Sequence, residues 1–368
     1  MKENTLYVGL DTDKKHIDVG LAEPLPRGEV RYWGQLGNEP SSVDRLVKRL
    51  RKDGRQLLVC YEAGPCGYGI YRQLNGKPGV TCQVVAPSMI PRRPGNRVKT
   101  NRRDCLTLAK LLRSEELTAI WVPDAAHEAM RDLVRARGMV RGDLNRCRQR
   151  IGGFLLRQGI PYIGKPWTKK YRLWLGRLEF AEAAHRLMFG ELLEALDQAQ
   201  ARRDRLTDHI AELVGQWSLA WLVDAIQGLR GYRLINAVTV VAEIGDPRRF
   251  STPRQLMAFL GMVPSEHSTG DSIWRGGITK TGNGRARKTL IEAAWTYTRP
   301  MRSTSPTRHS AAVRAIAEKA RHRLSGRYRR LRARGKIAPT AVTAIARESL
   351  GFIWAIAHAA APEATPTH

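Results

Sequence analysis

Hydrophobic and polar positions in the N-terminal third of the chain alternate between patterns typical of strands and of helices. Short apolar, β-branched runs predict strands at residues 5–10, 17–22, 56–61 and 81–86, and residues 29–33 are a further candidate. Apolar positions at three- and four-residue spacing predict helices over residues 41–51, 67–74 and 102–114. Three strands, a helix and then strand–helix–strand is the order of an α/β sheet, so we expect an α/β domain over residues 1–124.

Two later segments carry a sharper repeat, in which the steps between seam positions alternate between three and four residues. The seams occupy positions 133, 137, 140, 144, 147, 151 and 154, and positions 189, 192, 196, 199, 203, 206, 210, 213 and 217. Arg137 and Arg203 are exceptions in otherwise apolar seams, and a polar seam residue can fix register. The repeat predicts a helical coiled-coil linker over residues 125–220, either as a hairpin within one chain or as a coiled coil between chains.

The remaining chain reads as a mainly α domain over residues 221–298 and a basic helical extension over residues 299–368. The first contains Gly228-Leu229-Arg230-Gly231 before an apolar helix at residues 234–244. A tight Gly-x-x-Gly turn between helices exposes backbone N–H groups that can hold a phosphate. Residues 299–336 carry 13 Lys and Arg against the single acid Glu318, a density that favours nucleic acid over a merely solvated helix face.

Composition narrows the functional classes. Hydrophobic residues make up 42% of the chain, which is enough to form cores and excludes wholesale disorder. The formal net charge of +28 indicates a polyanionic partner. Asp11 interrupts any signal-like apolar core, and the apolar stretch at residues 350–361 is shorter than the roughly 20 residues that span a bilayer. The five cysteines show no zinc spacing, so we expect buried thiols in a reducing cytoplasm and no structural zinc.

Three carboxylates stand where an α/β sheet would bring them together. Asp11 ends the first predicted strand, Glu62 ends the central one, and Asp104 lies in the first turns of a helix. Clustered carboxylate oxygens suit Mg²⁺, which joins them to substrate phosphates. Each acid alone is better explained as a helix cap or a surface salt bridge, so the prediction depends on their joint placement.

A second cluster surrounds Ser268, which we place in a short polar loop before Gly270. The basic residues Arg275, Lys280, Arg285 and Arg287 follow within 20 positions. A serine hydroxyl is a poor nucleophile unless a base, cation or metal activates it. From spacing alone, an ordinary turn serine is the better interpretation.

Several of these segments carry a family resemblance when they are taken together and in order. They are Gly9-Leu10-Asp11, Tyr61-Glu62-Ala63-Gly64-Pro65, Lys99-Thr100-Asn101-Arg102-Arg103-Asp104, Phe259-Leu260-Gly261-Met262-Val263-Pro264, His267-Ser268-Thr269-Gly270 and Lys280-Thr281-Gly282-Asn283. The chain resembles the DEDD transposases of bacterial insertion sequences, the bridge-RNA-guided serine recombinases with a RuvC-like first domain.

The resemblance implies an RNase-H-like (RuvC-like) first domain and a smaller transposase domain with a helix-hairpin-helix-like element. Asp11, Glu62 and Asp104 would bind Mg²⁺, and Ser268 would be the nucleophile. The chain departs from the family at Asn101, where a fourth acid is expected one helical turn before Asp104. Either the Asn101 carbonyl oxygen replaces that acid, Asp13 compensates, or the metal site is weakened.

The implied function is an RNA-guided DNA recombinase that cuts and rejoins DNA through a phosphoserine intermediate. Its partners would be donor and target DNA, a structured noncoding guide RNA and further copies of itself, as a homodimer or homotetramer in the cytoplasm, at the nucleoid and not at a membrane. The candidate nucleic-acid contacts are Lys99, Arg102, Arg103, Gly228, Gly231, Arg275, Lys280, Arg285 and Arg287. Two alternatives stay open: a RuvC-like nuclease that uses water as its nucleophile, and a non-catalytic binding relic, which Asn101 favours.

Overall fold

The computed structural model describes residues 4–24, 28–91, 100–269, 272–300 and 309–361, and the chain divides into two compact units, Met1–Val122 and Pro123–His368. The elements of the first unit are β1 (Thr5–Thr12), β2 (His16–Ala22), β3 (Val30–Gly37), α1 (Pro40–Leu50), β4 (Gln56–Glu62), α2 (Gly69–Asn75), β5 (Val80–Val85) and α3 (Asn101–Arg113). The strands form one sheet in the order β3-β2-β1-β4-β5. β1 pairs antiparallel with β2 and parallel with β4, so the sheet is mixed. The predicted α/β domain is confirmed, and its topology is consistent with an RNase-H-like fold.

Both faces of the sheet are covered, which explains why β1 is an apolar run and not an alternating one. Leu6, Val8 and Leu10 pack in one core with apolar residues of α1. Tyr7, on the opposite face, packs in a second core with Leu108 and other residues of α3. Because side chains alternate along a strand, the odd-numbered positions of β1 face α3.

Glycine at two paired strand positions lets α3 approach this face closely. Gly9 and Gly20 lie opposite one another in the β1–β2 ladder. A Cβ atom on either residue would overlap the backbone of α3 at Cys105. The backbone of α3 therefore rests directly on β1 and β2, which brings its first turn close to the end of β1.

The second unit is mainly helical and contains one β-hairpin. Its elements are α4 (Ala125–Arg157), α5 (Lys169–Leu175), α6 (Ala183–Val214), α7 (Ala220–Ile226), α8 (Leu234–Ile244), α9 (Pro253–Phe259), β6 (Pro264–Thr269), β7 (Ser272–Ile278), α10 (Gly284–Ala294), α11 (Ala311–Ala333) and α12 (Ala338–Ala359). The finer division of this region into linker, transposase domain and extension stays a prediction.

The two heptad seams pack against each other within the chain. Leu144, Ile151 and Phe154 of α4 share a core with Phe189 and Leu196 of α6. The helical hairpin, one of the two arrangements that the repeat allowed, therefore uses both seams.

The polar seam position 137 is satisfied inside this hairpin. Arg137 donates from Nε to the Thr207 hydroxyl at 2.8 Å. Burial, and then the neighbouring charge of Arg203, lower the pKa of Arg137. The exception in the α4 seam is thus a polar contact between α4 and α6.

The helix α12 is long and apolar. It extends over 22 residues and contains most of the apolar stretch at residues 350–361, together with Arg347 and Glu348, and by length and composition it could cross a membrane. Val342, Ile345, Leu350, Ile353 and Ile356 are nevertheless fully buried in the core of this unit. The helix is apolar because it lies at the centre of a helical domain.

Candidate functional site

Two of the predicted acids lie side by side at one edge of the sheet. Leu10 of β1 pairs with Tyr61 of β4 in the parallel ladder, so the next residues, Asp11 and Glu62, are neighbours at the carboxyl ends of adjacent strands. Both side chains are half-buried and, by alternation, both face α3. Asp11 and Glu62 can therefore act together on one ligand.

The third predicted acid, Asp104, lies in the first turn of α3. Thr100 caps this turn by accepting a hydrogen bond from the Arg103 N–H at 3.3 Å. Burial first, and then the carboxylates of Asp18 and Asp11, raise the pKa of the next residue, Cys105, to about 12. The close packing of Cys105 on Gly9, two residues before Asp11, places the start of α3 close to the end of β1. Asn101 is exposed one turn before Asp104.

A further acid, Asp18, was missed by the sequence analysis. It lies opposite Asp11 in the β1–β2 ladder and its exposed fraction is 4%. Its carboxylate accepts hydrogen bonds from the Tyr32 hydroxyl at 2.6 Å and from Gln35 Nε2 at 3.1 Å. The first of these bonds is the main reason why the pKa of Tyr32 is raised to about 12. The signal was the alternation of residues 17–22, which puts Asp18 on the face of Gly20.

Asp13, the residue considered as compensation for Asn101, has a role in a turn, and its part in metal binding stays a prediction. Its carboxylate accepts the backbone N–H groups of Lys15 and His16 at 2.6 and 2.7 Å, between β1 and β2. These two bonds hold the pKa of the exposed Asp13 carboxyl below its ordinary value. Asp18 is the acid that the structure places nearest in register to Asp11.

We call the edge of the sheet that carries Asp11, Glu62 and Asp104 the acid edge. Its carboxylate oxygens are ligands of the type that Mg²⁺ binds. Among the described residues, no three His, Cys, Asp or Glu side chains lie close enough together to hold a metal ion between them. Mg²⁺, however, is usually held by one or two carboxylates and keeps several waters or substrate phosphates in its remaining positions. Asp11 and Glu62 can supply that pair, with Asp104 on the adjacent helical turn.

Ser268 lies on a strand near the tip of the β6–β7 hairpin, so its expected position in a loop was wrong. Its hydroxyl donates to Glu266 Oε1 at 2.9 Å, and Arg275 Nε donates to Glu266 Oε2 at 3.1 Å. Alternation puts these three side chains on one face of the hairpin and the paired His267 and Trp274 on the other. The base nearest to the Ser268 hydroxyl is therefore Glu266, not His267.

Glu266 was also missed by the sequence analysis, although its spacing of two residues from Ser268 was visible. The hydrogen bond from Ser268, and then that from Arg275, lower the pKa of this exposed carboxyl. Glu266 is thus an ionised acceptor that fixes the direction of the Ser268 hydroxyl. Arg275, proposed as a nucleic-acid contact, is engaged with Glu266.

The base of the hairpin is held by a close crossing of two backbone segments. Gly261 and Gly282 have φ values of +58° and +71°, and a Cβ atom on either would overlap the backbone of the other segment. Arg287 Nη1 donates to the carbonyl oxygens of Leu260 and Thr281, one on each segment. Arg287 thus has a structural role at this crossing, which explains the glycines in both motifs.

A buried ion pair is hydrogen-bonded to the residue that follows Gly282 in this crossing. Glu243, which is 3% exposed, accepts two hydrogen bonds from Arg135, each 2.8 Å long. It also accepts a hydrogen bond of 2.6 Å from Asn283 Nδ2. Asn283 Oδ1 in turn caps α10 by accepting from the Arg285 and Ala286 N–H groups. The Glu243 carboxylate, in α8, therefore connects α4 with the start of α10, next to the crossing at the base of the hairpin.

The predicted phosphate-binding turn lies between α7 and α8, as expected. The Gly228 N–H, however, already donates to the Ala225 carbonyl at 3.1 Å. Gly231 has a φ of +92°, and a Cβ atom there would press on Ala293. Both glycines thus have packing reasons of their own, and their contact with phosphate stays a prediction.

The other predicted basic contacts divide between the two units. In the first, the Arg102 guanidinium lies 5.0 Å from the centre of the Tyr32 ring, and Arg103 is exposed on the same turn. In the second, Lys280 and Arg285 are exposed beside the base of the hairpin. Lys99 lies outside the described residues, and so does Gly270, after Ser268.

Two family models and several named proteins match this chain. A family model described as a transposase of the DEDD IS110 type matches residues 8–160, and one described as the transposase IS116/IS110/IS902 family matches residues 223–310. The y4qE protein of Sinorhizobium fredii, named as a transposase, is 48% identical over 360 residues, which cover 96% of this chain and 89% of that protein. The transposase for insertion sequence element IS1533 of Leptospira borgpetersenii is 29% identical over 90% of this chain and 98% of its own length. The chain therefore belongs to the IS116/IS110/IS902 family of insertion-sequence transposases.

Proposed function

We propose that this transposase is an RNA-guided DNA recombinase that uses Ser268 as its nucleophile. The observation that carries the proposal is the geometry of Ser268: an exposed hydroxyl on a hairpin whose base is held by a backbone crossing, hydrogen-bonded at 2.9 Å to a carboxylate with a lowered pKa. Serine needs such a partner before it can attack a phosphorus atom. An exposed hairpin also gives a polymer substrate access to the hydroxyl, as an enclosed pocket would not.

The proposed step conserves the energy of the phosphodiester. The Ser268 oxygen forms a bond to phosphorus, the bond from phosphorus to the DNA 3′-oxygen breaks, and the serine proton passes to Glu266 or to solvent. The leaving 3′-oxygen takes a proton and becomes a 3′-hydroxyl, while the 5′-phosphate stays attached to Ser268. Reversal by another 3′-hydroxyl rejoins DNA with no need for ATP. Arg275 holds Glu266 in place throughout.

The acid edge of the first unit has a separate part in the proposal. Asp11, Glu62 and Asp104 would hold Mg²⁺, which when bound supplies positive charge against the negative charge that develops on a phosphoryl group. The side chains themselves pre-organise this edge, because Tyr32 and Gln35 fix Asp18 beside Asp11. The Asn101 amide can offer a carbonyl oxygen but no charge. We therefore expect Asn101→Asp to bind Mg²⁺ more tightly, which a Mg²⁺ titration of activity would show as a lower midpoint concentration.

The proposed partners follow from the charge of the chain. Donor and target DNA, and a structured noncoding guide RNA, would be held by backbone contacts, which suits a formal charge of +28 without an evident base-reading motif. Target choice would then come from base pairing with the RNA. We propose assembly of a homodimer or homotetramer on the DNA.

The test is the detection of a protein–DNA adduct on denaturing gels. End-labelled donor and target DNA are incubated with the protein, Mg²⁺ and RNA transcribed from the sequence that flanks the gene. We expect a labelled strand linked to the wild-type protein, lost in Ser268→Ala and in Asp11→Asn. Ser272→Ala is the matched control, because Ser272 is an exposed serine on the partner strand of the same hairpin.

Other results of the adduct assay would support a different function for the protein. Cleavage without an adduct that survives Ser268→Ala but not Asp11→Asn would identify a water-using nuclease. Binding without any strand cut, over a range of RNA boundaries, would identify a non-catalytic binding protein. An adduct that forms equally well without RNA would remove RNA guidance and leave the serine chemistry in place.

A further inference from the structure

The basic helix α11 borders a groove that the proposed recombination chemistry does not use. The groove has a volume of about 300 Å³ and is lined by Arg323, Arg327, Arg330, Leu331, Arg334 and Glu348. Its four arginines are spaced four, three and four residues apart on one helix, so they lie on a single helical face. We call this feature the arginine groove.

A carboxylate from the neighbouring helix α12 orders one end of the arginine groove. Glu348 forms ion pairs with Arg323 and with Arg327, the latter at 2.9 Å. The Glu348 side chain is 14% exposed, whereas those of Arg323 and Arg327 are 58% and 43% exposed. The carboxylate thus lies at the floor of the groove and holds two guanidinium groups that still face solvent.

The charge of the arginine groove remains uncompensated. One carboxylate opposes four guanidinium groups, and within the part of the chain that the structure describes no carboxylate pairs with Arg330 or Arg334. Like charges three or four residues apart destabilise a helix, so this face gains from an external anion. Guanidinium groups bind phosphate through paired N–H donors, which makes phosphate the anion best suited to the site.

The length of the arginine groove indicates a polymer and not a free phosphate. From Arg323 to Arg334 the helix rises by about 16 Å. One strand of duplex DNA rises by only about 3.4 Å along its axis between phosphates, so this face is long enough to meet more than one phosphate of a strand. Among the described residues, Leu331 is the single apolar residue that lines the groove, and no aromatic side chain lines it on which a base could stack.

We propose that the arginine groove binds the phosphodiester backbone of duplex DNA without reading its sequence. The choice of DNA rests on the DNA-acting part of the proposed function, and neither Ser268 chemistry nor RNA guidance enters the argument. The site would hold donor or target DNA through residues other than those of the hairpin and add to affinity uniformly across sequences.

The experiment compares two double variants of the full-length protein that lose equal charge from the same helix. Arg330→Gln/Arg334→Gln removes the two groove arginines that do not contact Glu348. Arg314→Gln/Arg329→Gln removes two exposed arginines of α11 that do not line the groove. Binding to a short duplex DNA of arbitrary sequence, and separately to duplex RNA of the same sequence, is measured by fluorescence anisotropy over a range of salt concentrations, without guide RNA or Mg²⁺.

For the groove variant we expect the slope of log affinity against log salt to fall by about 1.8, because two phosphate contacts are lost. This corresponds to affinity weakened by about 60-fold at about 0.1 M salt. The control variant should change affinity by less than about threefold, since its charges lie outside the contact and are screened. All three proteins should unfold at the same temperature, as the substituted side chains are exposed.

Three results would overturn the proposal. Equal losses in both variants would mean that only net charge matters, and unchanged affinity in the groove variant would mean that DNA does not occupy the groove. A loss confined to duplex RNA of the same sequence would assign the groove to RNA. Failure of the Ser268 chemistry would appear separately, as the absence of an adduct with the wild-type protein.

Discussion

At the scale of single residues, the direction of the Ser268 hydroxyl decides which neighbour can assist it. The pairing of β6 with β7 sends His267 to the face of Trp274, with 5.6 Å between the ring centres. Glu266 shares the face of Ser268 and accepts its hydrogen bond. A carboxylate with a lowered pKa is a weak base, but it stays ionised and keeps the serine oxygen oriented for attack.

This geometry predicts different results for two adjacent substitutions. Glu266→Gln keeps the shape of the side chain but removes its charge, so adduct formation should slow by about 100-fold, the lower end of the range for an acid–base residue. His267→Gln should leave the rate within about threefold, because its side chain lies on the other face. Single-turnover rates of adduct formation above pH 5 would check this, since Glu266, with its lowered pKa, is ionised there. A larger effect at His267 than at Glu266 would contradict the assignment.

The acid edge shows how far residue-level reasoning from sequence could go. The positions of Asp11 and Glu62 were predictable, because each ends an apolar strand run and parallel neighbours end at the same edge. The importance of Asp18 was not, since one acid inside an apolar run gives no sign of its partners. Tyr32 and Gln35, which accommodate it, come from β3, whose pairing depends on the folded sheet.

At the scale of elements, the amphipathic helices could be predicted from the sequence, whereas the hairpin that carries Ser268 could not. Periodicity located α1, α3, α4 and α6, because each buries a continuous apolar stripe. The strands β6 and β7 were missed because both faces are largely exposed and β7 contains two glycines, so no alternation marks them. Their position is set by the crossing of Gly261 and Gly282, a contact between segments that sequence patterns do not reveal.

Glu243, which lies next to the crossing at the base of the hairpin, makes the stability of the fold depend on pH in a way that can be measured. Burial by itself raises the pKa of this carboxyl, but hydrogen bonds from Arg135 and Asn283 outweigh it and the pKa lies below its ordinary value. A carboxyl with a lowered pKa stabilises the fold above its unfolded-state pKa, and this contribution is lost as pH falls through the folded-state value. Glu243→Gln should therefore lower the free energy of unfolding by roughly 2–4 kcal/mol at neutral pH.

The difference between wild type and Glu243→Gln should shrink below about pH 4.5, where the wild-type carboxylate begins to lose its advantage. Urea unfolding at a series of pH values would measure it. Glu292→Gln is the control, because the Glu292–Arg141 ion pair is partly exposed and should contribute less than about 1 kcal/mol. Equal losses in the two variants, or a difference that does not change with pH, would contradict the role given to Glu243.

At the scale of the whole molecule, two features bear on assembly. The heptad seams, which could have joined two chains, pack largely between α4 and α6 of one chain, although Leu213 in the second seam is 47% exposed. The formal charge of +28 makes two copies repel each other in the absence of an anion. Sequence alone left the hairpin and the intermolecular coiled coil equally open, since the same seam serves both, and only the packed structure shows which helix fills it.

These two features predict that assembly depends on nucleic acid. Without it, the protein should be a monomer by light scattering at moderate salt, because its seams are occupied and its charge is unscreened by phosphates. Addition of duplex DNA and guide RNA should produce a dimer or tetramer, as counter-charge from the backbone removes the repulsion. Arg137→Met should not alter either state, since it replaces a half-buried cation by an apolar side chain inside the α4–α6 hairpin. A dimer that persists without nucleic acid, and that Arg137→Met strengthens or weakens, would instead place the heptad seam between chains.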